Sequence, residues 1–217
     1  MGAITRSIAN NITTGGVFTS SAITNNSVTG ITVLANAPAD GITFISSQTA
    51  SASASLSFTT GLDSTYKAYK FVFSNIHPAT DNVNFTFNLS TDAGSNYNVT
   101  KTTTYFEAFH NETGASSGLG YATAFDLAQS TAFATLGNNT GNDADQNISG
   151  SLILFNPSST TYVKHFISTT CHSSAGNLSL NDFSAGYGNT TSAVNAIQFK
   201  MSSGNIDAGT IYMYGIK

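Results

Sequence analysis

The chain has 217 residues, of which 8 % are charged, and its formal net charge is −4. Ordinary soluble domains are about a quarter charged, so solubility here rests on Ser, Thr, Asn and Gly, and the Lys and Arg density that neutralising phosphates requires is missing. Nucleic acid is therefore an unsuitable partner, no run reaches the ~18 apolar residues of a membrane helix, and so small a net charge steers no partner strongly.

Residues 1–40 differ in kind from the rest. Met1–Arg6 is not followed by the apolar stretch of a secretory leader, and Arg6 stands where a myristoylation pattern has Ser or Thr, so synthesis in a cytoplasm is expected. The segment is rich in Ser, Thr and Asn, with isolated apolar residues such as Ile4, Ile8, Ile12 and Phe18. Ile4, Ile8 and Ile12 would align on one helix face, but the Thr and Asn between them are poor helix formers. Such a segment builds no core of its own; it stays mobile or orders by lying on another surface or on copies of itself. It reads as an N-terminal docking or oligomerisation arm, with a head domain from 41 to 217.

Ala37-Pro38-Ala39-Asp40-Gly41 marks the break, and strand patterns follow at short intervals. They run from Ile42 to Gln48, Ala54 to Thr59, Tyr66 to Ile76, Val83 to Ser90, Tyr97 to His110, Ala132 to Leu136, Ile148 to Asn156, Tyr162 to Cys171 and Leu180 to Tyr187. Two more lie around Ile197–Met201 and Ile211–Ile216. Tyr69, Phe71, Phe73 and Phe85, Phe87, Leu89 alternate with polar residues, the period of a strand with one buried face. Turn residues punctuate the series, as at Asp92-Ala93-Gly94 and Asn156-Pro157. One interruption, Asn111 to Gln129, reads as a Gly/Ser-rich loop with a helical turn or two in Tyr121–Gln129. The last strand, apolar on both faces or aromatic on its outer one, is expected to close the sheet. The fold class is all-β, an antiparallel jelly-roll-like β-sandwich with an extended N-terminal arm.

Chemistry-bearing constellations are sparse. Cys171 is the one cysteine, which rules out an internal disulfide and reads as a small buried strand residue. His165 reads as a structural histidine, sharing a face with Val163 and Ile167. No His pair has zinc spacing, no nucleophile elbow precedes a helix, and no carboxylate spacing marks a glycosidase dyad. Asp143, Asp145 and Asn147 place oxygen ligands at alternate loop positions, as Ca²⁺ prefers, but lack the Gly and distal Glu of an EF-hand loop; a solvated acidic turn is the other reading. The Asn-x-Ser/Thr sequons follow from composition and need no glycan on them. Tyr97, Tyr121 and Tyr187, near loops or polar strand faces, are candidates for stacking on sugar rings.

Several segments together resemble one family: Met1–Gly16, Gly61–Lys67 through Ile76–Thr80, Ser90–Tyr97, and the ending Ser202–Ile211 with Tyr214–Lys217. They are similar to small virion structural proteins known mainly from marine tailed bacteriophages. The resemblance spans nearly the whole chain and carries no catalytic signature. It implies a non-enzymatic particle component, located in the virion, contacting other virion proteins and oligomeric, with a trimer favoured. Two placements follow. One is a tail-fibre or appendage protein whose head attaches to host-surface glycans. The other is a capsid decoration protein that stabilises the shell. A polysaccharide-degrading enzyme is a third reading, which the few scattered carboxylates disfavour. No cofactor beyond the calcium candidate is implied.

Overall fold

The structure is a computed structural model and describes residues 41–217; the arm, with Ile4, Ile8, Ile12 and Phe18, lies outside the described residues. Twelve strands follow in order: β1 (Ile42–Thr49), β2 (Leu56–Phe58), β3 (Ala68–Pro78), β4 (Val83–Ser90), β5 (Lys101–Asn111), β6 (Ser117–Tyr121), β7 (Ala134–Thr140), β8 (Ile148–Phe155), β9 (Lys164–Ser173), β10 (Leu178–Gly188), β11 (Ala196–Met201) and β12 (Ile206–Ile216). They form two antiparallel sheets, ordered β1-β12-β3-β8-β9-β10-β5-β6 and β2-β11-β4-β7.

The connectivity is that of a jelly roll carrying two insertions. The quartet β1-β12-β3-β8 and the quartet β2-β11-β4-β7 are its two sheets. The β5–β6 hairpin is inserted between β4 and β7, and the β9–β10 hairpin between β8 and β11. Both hairpins join the same sheet beyond β8, which widens it to eight strands.

Alternation in the sequence explains the layering. In β3, Tyr69, Phe71 and Phe73 point inward, while β4 sends Phe85, Phe87 and Leu89 toward them from the other sheet. Phe199 of β11 sits where these sets meet. The rings of Phe58, Phe71, Phe73, Phe85 and Phe87 all lie within 6.4 Å of its own. Mostly edge-on and tilted geometry fills this centre without face-to-face repulsion.

The C-terminal strand β12 is flanked on both sides. It pairs with β1 from Ile42↔Ile216 to Thr49↔Thr210, and with β3 along its other edge. Ile211 and Met213 are buried, and Tyr212 and Tyr214 form the half-buried outer face. At Gly209, within an irregular stretch of the β12–β3 ladder, φ is 108° and a Cβ would stand 2.4 Å from the Asn75 carbonyl oxygen. Only glycine fits such a close backbone approach.

Two expectations fail in the interruption between β5 and β7. Tyr121–Gln129 holds no helix, only a single hydrogen-bonded turn from Ala122 to Phe125, and Ser117–Tyr121 is the edge strand β6. From Leu127 to Ser130 the chain continues along the same side of β5. Thr103 N–H donates to the Leu127 carbonyl, and Lys101 and Ser130 exchange backbone hydrogen bonds. Hydrogen bonding to β5, which a helix would have forgone, explains the extended course.

Candidate functional site

The inserted hairpins create two distinct environments, one on each face of the widened sheet. On the inner face, Tyr105 and Glu107 of β5, His172 of β9 and Asp182 of β10 point toward β7. Between Val83↔Thr140 and Phe85↔Gly137 the β4–β7 ladder accommodates one extra residue in β7, and Asn139 adopts φ 45°. This bulge turns Asn138 out of its own sheet and into the cluster. The Asn138 N–H donates to Asp182 Oδ2 at 3.2 Å, and its carbonyl accepts from His172 Nε2 at 2.5 Å. Its side-chain amide donates to Glu107 Oε2.

Geometry fixes one proton of this cluster, and burial decides the rest. A carbonyl only accepts, so His172 Nε2 carries a hydrogen. His172 Nδ1 lies 3.4 Å from Asp182 Oδ2, and both side chains are fully buried. Burial pushes the Asp182 carboxyl up to about 7 and the imidazole down to about 4, so the interior favours an uncharged acid beside an uncharged base. Burial, with Asp182 and Glu107 nearby, also raises the Tyr105 phenol. Tyr105 OH, Asn138 Oδ1, His172 Nδ1 and Asp182 Oδ1 have no hydrogen-bond partner within the protein. An acid, a base and a phenol are thus assembled with their side chains buried between the sheets.

A second polar feature lies at the other end of the inserted strands. Lys101 and Lys164 flank Gly188 in adjacent registers of the same sheet, and both are buried. Lys101 Nζ donates to Asn88 Oδ1 at 2.5 Å and to the Val99 carbonyl at 2.8 Å. Lys164 Nζ donates to the carbonyls of Tyr162 and Thr190. Burial lowers both amines, Lys101 to about 7.

The outer face of the eight-stranded sheet is the environment open to partners. Cross-strand registers align Tyr212, Val72, Ser151, Thr169, Phe183, Phe106 and Tyr121 in one row across seven strands. Phe106 and Phe183 stack with ring centroids 4.7 Å apart. Phe44, Phe155, Ile167 and Leu119 also stand exposed on this face. Among the described residues, the regular outward strand positions hold one permanent charge, Lys70. A hollow of about 370 Å³ lies over β5, β8, β9 and β10, bordered by Thr102, Thr104, Phe155, His165, Ile167 and Tyr187. The His165 and Tyr187 rings are 6.0 Å apart there, and Gln129 Nε2 reaches the Tyr187 hydroxyl at 3.4 Å.

The sugar-stacking candidates divide between environments. Tyr187 belongs to the hollow, and Tyr121 stands exposed at the end of the aromatic row, its hydroxyl donating to Asp126 Oδ2 at 2.6 Å. Tyr97 is half-buried against Gly94 with its hydroxyl enclosed, so its polar end is withdrawn from any ligand. His165 and Cys171 are both exposed on the outer face, which overturns the burial expected of Cys171 and leaves the structural histidine His165 bordering the hollow. The face turned inward is that of Lys164, Phe166, Ser168, Thr170 and His172. His172, Asp182 and Asn138 are not recognisable as a cluster in the sequence, because the insertion of the β9–β10 hairpin and a bulge in β7 bring them together. The one available signal was the carboxylate of Asp182 at an inward position of the Leu180–Tyr187 pattern.

Asp143, Asp145 and Asn147 lie in the β7–β8 turn. Asp143 binds through its backbone, its carbonyl near His77 Nε2 at 3.2 Å and its N–H donating to Gln146 Oε1. Asp145 and Asn147 border a shallow hollow with Glu112 and Cys171, which Asp143 does not line. Among the described residues, no group of three or more His, Cys, Asp or Glu side chains is placed to hold a metal ion, and no helix is long and apolar enough to cross a membrane.

No family model, curated protein or solved structure matches the chain.

Proposed function

We propose that this chain is a non-enzymatic structural protein of a virion surface, and that its jelly-roll head makes contact through the outer face of the eight-stranded sheet. The observation that carries the reading is that face. It is nearly uncharged, dense in aromatic and hydroxyl side chains, and continuous across the sheet. Exposed apolar patches of this kind mark interaction sites rather than ordinary surface. The clustered acid, base and phenol lie sealed between sheets, which supports a binding role over a hydrolytic one.

In this reading the head attaches to glycans on a host surface, with Tyr187, Phe155 and His165 of the hollow as the stacking platform and Thr102 and Thr104 as hydroxyl partners. The resemblance to small virion structural proteins supports the particle location. A second reading, capsid decoration, draws on the breadth of the same face, which extends well beyond what one sugar ring covers and suits a protein surface.

A reconstruction of the intact particle that locates and counts this chain tests both. A few copies at the tail or a vertex are expected for attachment, together with glycan binding that Tyr187→Ala abolishes and Tyr187→Phe largely keeps. Hundreds of copies spread over the shell would replace attachment by decoration. Absence of the chain from purified particles would overturn both.

A further inference from the structure

The two sheets have four edge strands, and three of them are blunted against pairing. β1 carries a register shift between Phe44 and Ser46. β2 is three residues long. The β7 ladder is broken twice. Such bulges and short strands are ordinary protection for a sheet edge. β6 has neither: its five residues, Ser117-Gly118-Leu119-Gly120-Tyr121, hold an unbroken register with β5 and contain no charge and no proline. All five are exposed, and Leu119, at 75 %, is the most exposed large apolar side chain among the described residues.

The hydrogen-bond phase of β6 is fixed by the bonds at its two ends. Ala122 N–H donates to the Tyr105 carbonyl, and Asn111 N–H donates to the Ser116 carbonyl. Antiparallel ladders alternate, so Ser116, Gly118, Gly120 and Ala122 direct their backbone groups toward β5. Ser117, Leu119 and Tyr121 therefore direct both N–H and C=O away from the sheet.

We infer that β6 is a homotypic interface, pairing antiparallel with β6 of a second copy about a twofold axis at Leu119. The three outward residues are evenly spaced and symmetric about Leu119. Leu119 then meets Leu119 of the second copy, Ser117 meets Tyr121, and every outward N–H finds a carbonyl. An isologous contact requires this self-complementarity. Charge does not oppose a second copy, because β6 carries none and no like charges meet at the axis. The two Leu119 side chains cover each other on the outer face, and Gly118 and Gly120 leave the inner face flat, with the Phe109 ring over Gly118. The result is one continuous sheet through two heads, which doubles the aromatic face. The inference does not depend on what that face binds.

The test uses the full chain, with mass measured by light scattering across a concentration series and amide exchange followed at single residues. Expected is a dimer in which the Ser117, Leu119 and Tyr121 amides exchange slowly, and become fast as dilution halves the mass. Leu119→Pro removes only an outward N–H, so the β5 ladder and the melting temperature should persist while mass halves and Ser117 and Tyr121 lose protection. Leu119→Lys, which keeps the N–H but sets two ammonium groups at the axis, should separate the copies in the same way. Fast exchange of the three amides at every concentration would overturn the inference. So would a dimer or trimer whose mass is unchanged in both variants.

Discussion

His172 and Asp182 form a pair whose two proton affinities are displaced in opposite directions by the same cause, burial. Unfolded, with ordinary values of 6.5 and 3.8, the pair binds one proton between those pH values, held by the imidazole. Folded, it also holds one proton, now on the carboxyl. Equal proton counts leave stability flat with pH, so the wild-type pair should add little slope between about pH 4 and 6.5. Single variants should expose the hidden slopes. In Asp182→Asn the remaining imidazole is depressed; its stabilisation is complete above about pH 6.5 and is lost as pH falls through about 4. In His172→Gln the remaining carboxyl is raised; its stabilisation is complete below about pH 3.8 and is lost as pH rises through about 7. Urea midpoints between pH 4 and 7 should therefore trend upward in the first variant and downward in the second, by an amount on the order of 1–3 kcal/mol. Parallel trends would contradict the assignment of the shared proton. Phe199 gives a contrasting residue-level case, because it acts by volume alone. With five rings around it, Phe199→Ala should cost about 3–5 kcal/mol in urea unfolding, since surrounding rings of that size cannot collapse into the space.

At the level of elements, β12 has the most to lose. It supplies the ladder partner for β1 and for β3, and it carries Ile211 and Met213 into the core. Truncation after Ser203 would leave both neighbours with open edges and strip a layer from the core. Such a chain should show no cooperative unfolding transition and should bind hydrophobic dyes; a normal melt would show β12 to be an accessory. The inserted hairpins should behave otherwise. β6 buries none of its five residues, so its amides should exchange faster than those of β3 or β12 in the isolated monomer.

For the whole molecule, the legible part of the fold was the part written in alternation. The pattern predicts Val83–Ser90 with the ends the strand has, because apolar and polar residues trade places without a break. β6 leaves no such mark, because its inward residues are glycines and supply no apolar period. Alternation also assigns residues to two faces without saying which face is inside. In β9 the buried set includes Lys164, whose ammonium is accommodated by the Tyr162 and Thr190 carbonyls, and this reversal placed His165 and Cys171 outside. The His172–Asp182–Asn138 cluster was beyond reach for a different reason. His172 and Asp182 come from the two arms of the β9–β10 hairpin, and they meet Asn138 only because of where that hairpin inserts and because one bulge re-aims Asn138.

The placement of β12 between β1 and β3 also bears on how the chain reaches its native state. Ile42 finds Ile216 and Thr49 finds Thr210, pairings that close almost the longest loops the head contains. Loop-closure entropy for these contacts falls due before the central core can reward it, so folding should be slow and late in commitment. Until β12 arrives, β1 and β3 lie with unpaired backbone exposed. That partly paired chain, rather than the finished sandwich, is then the species most prone to misassembly.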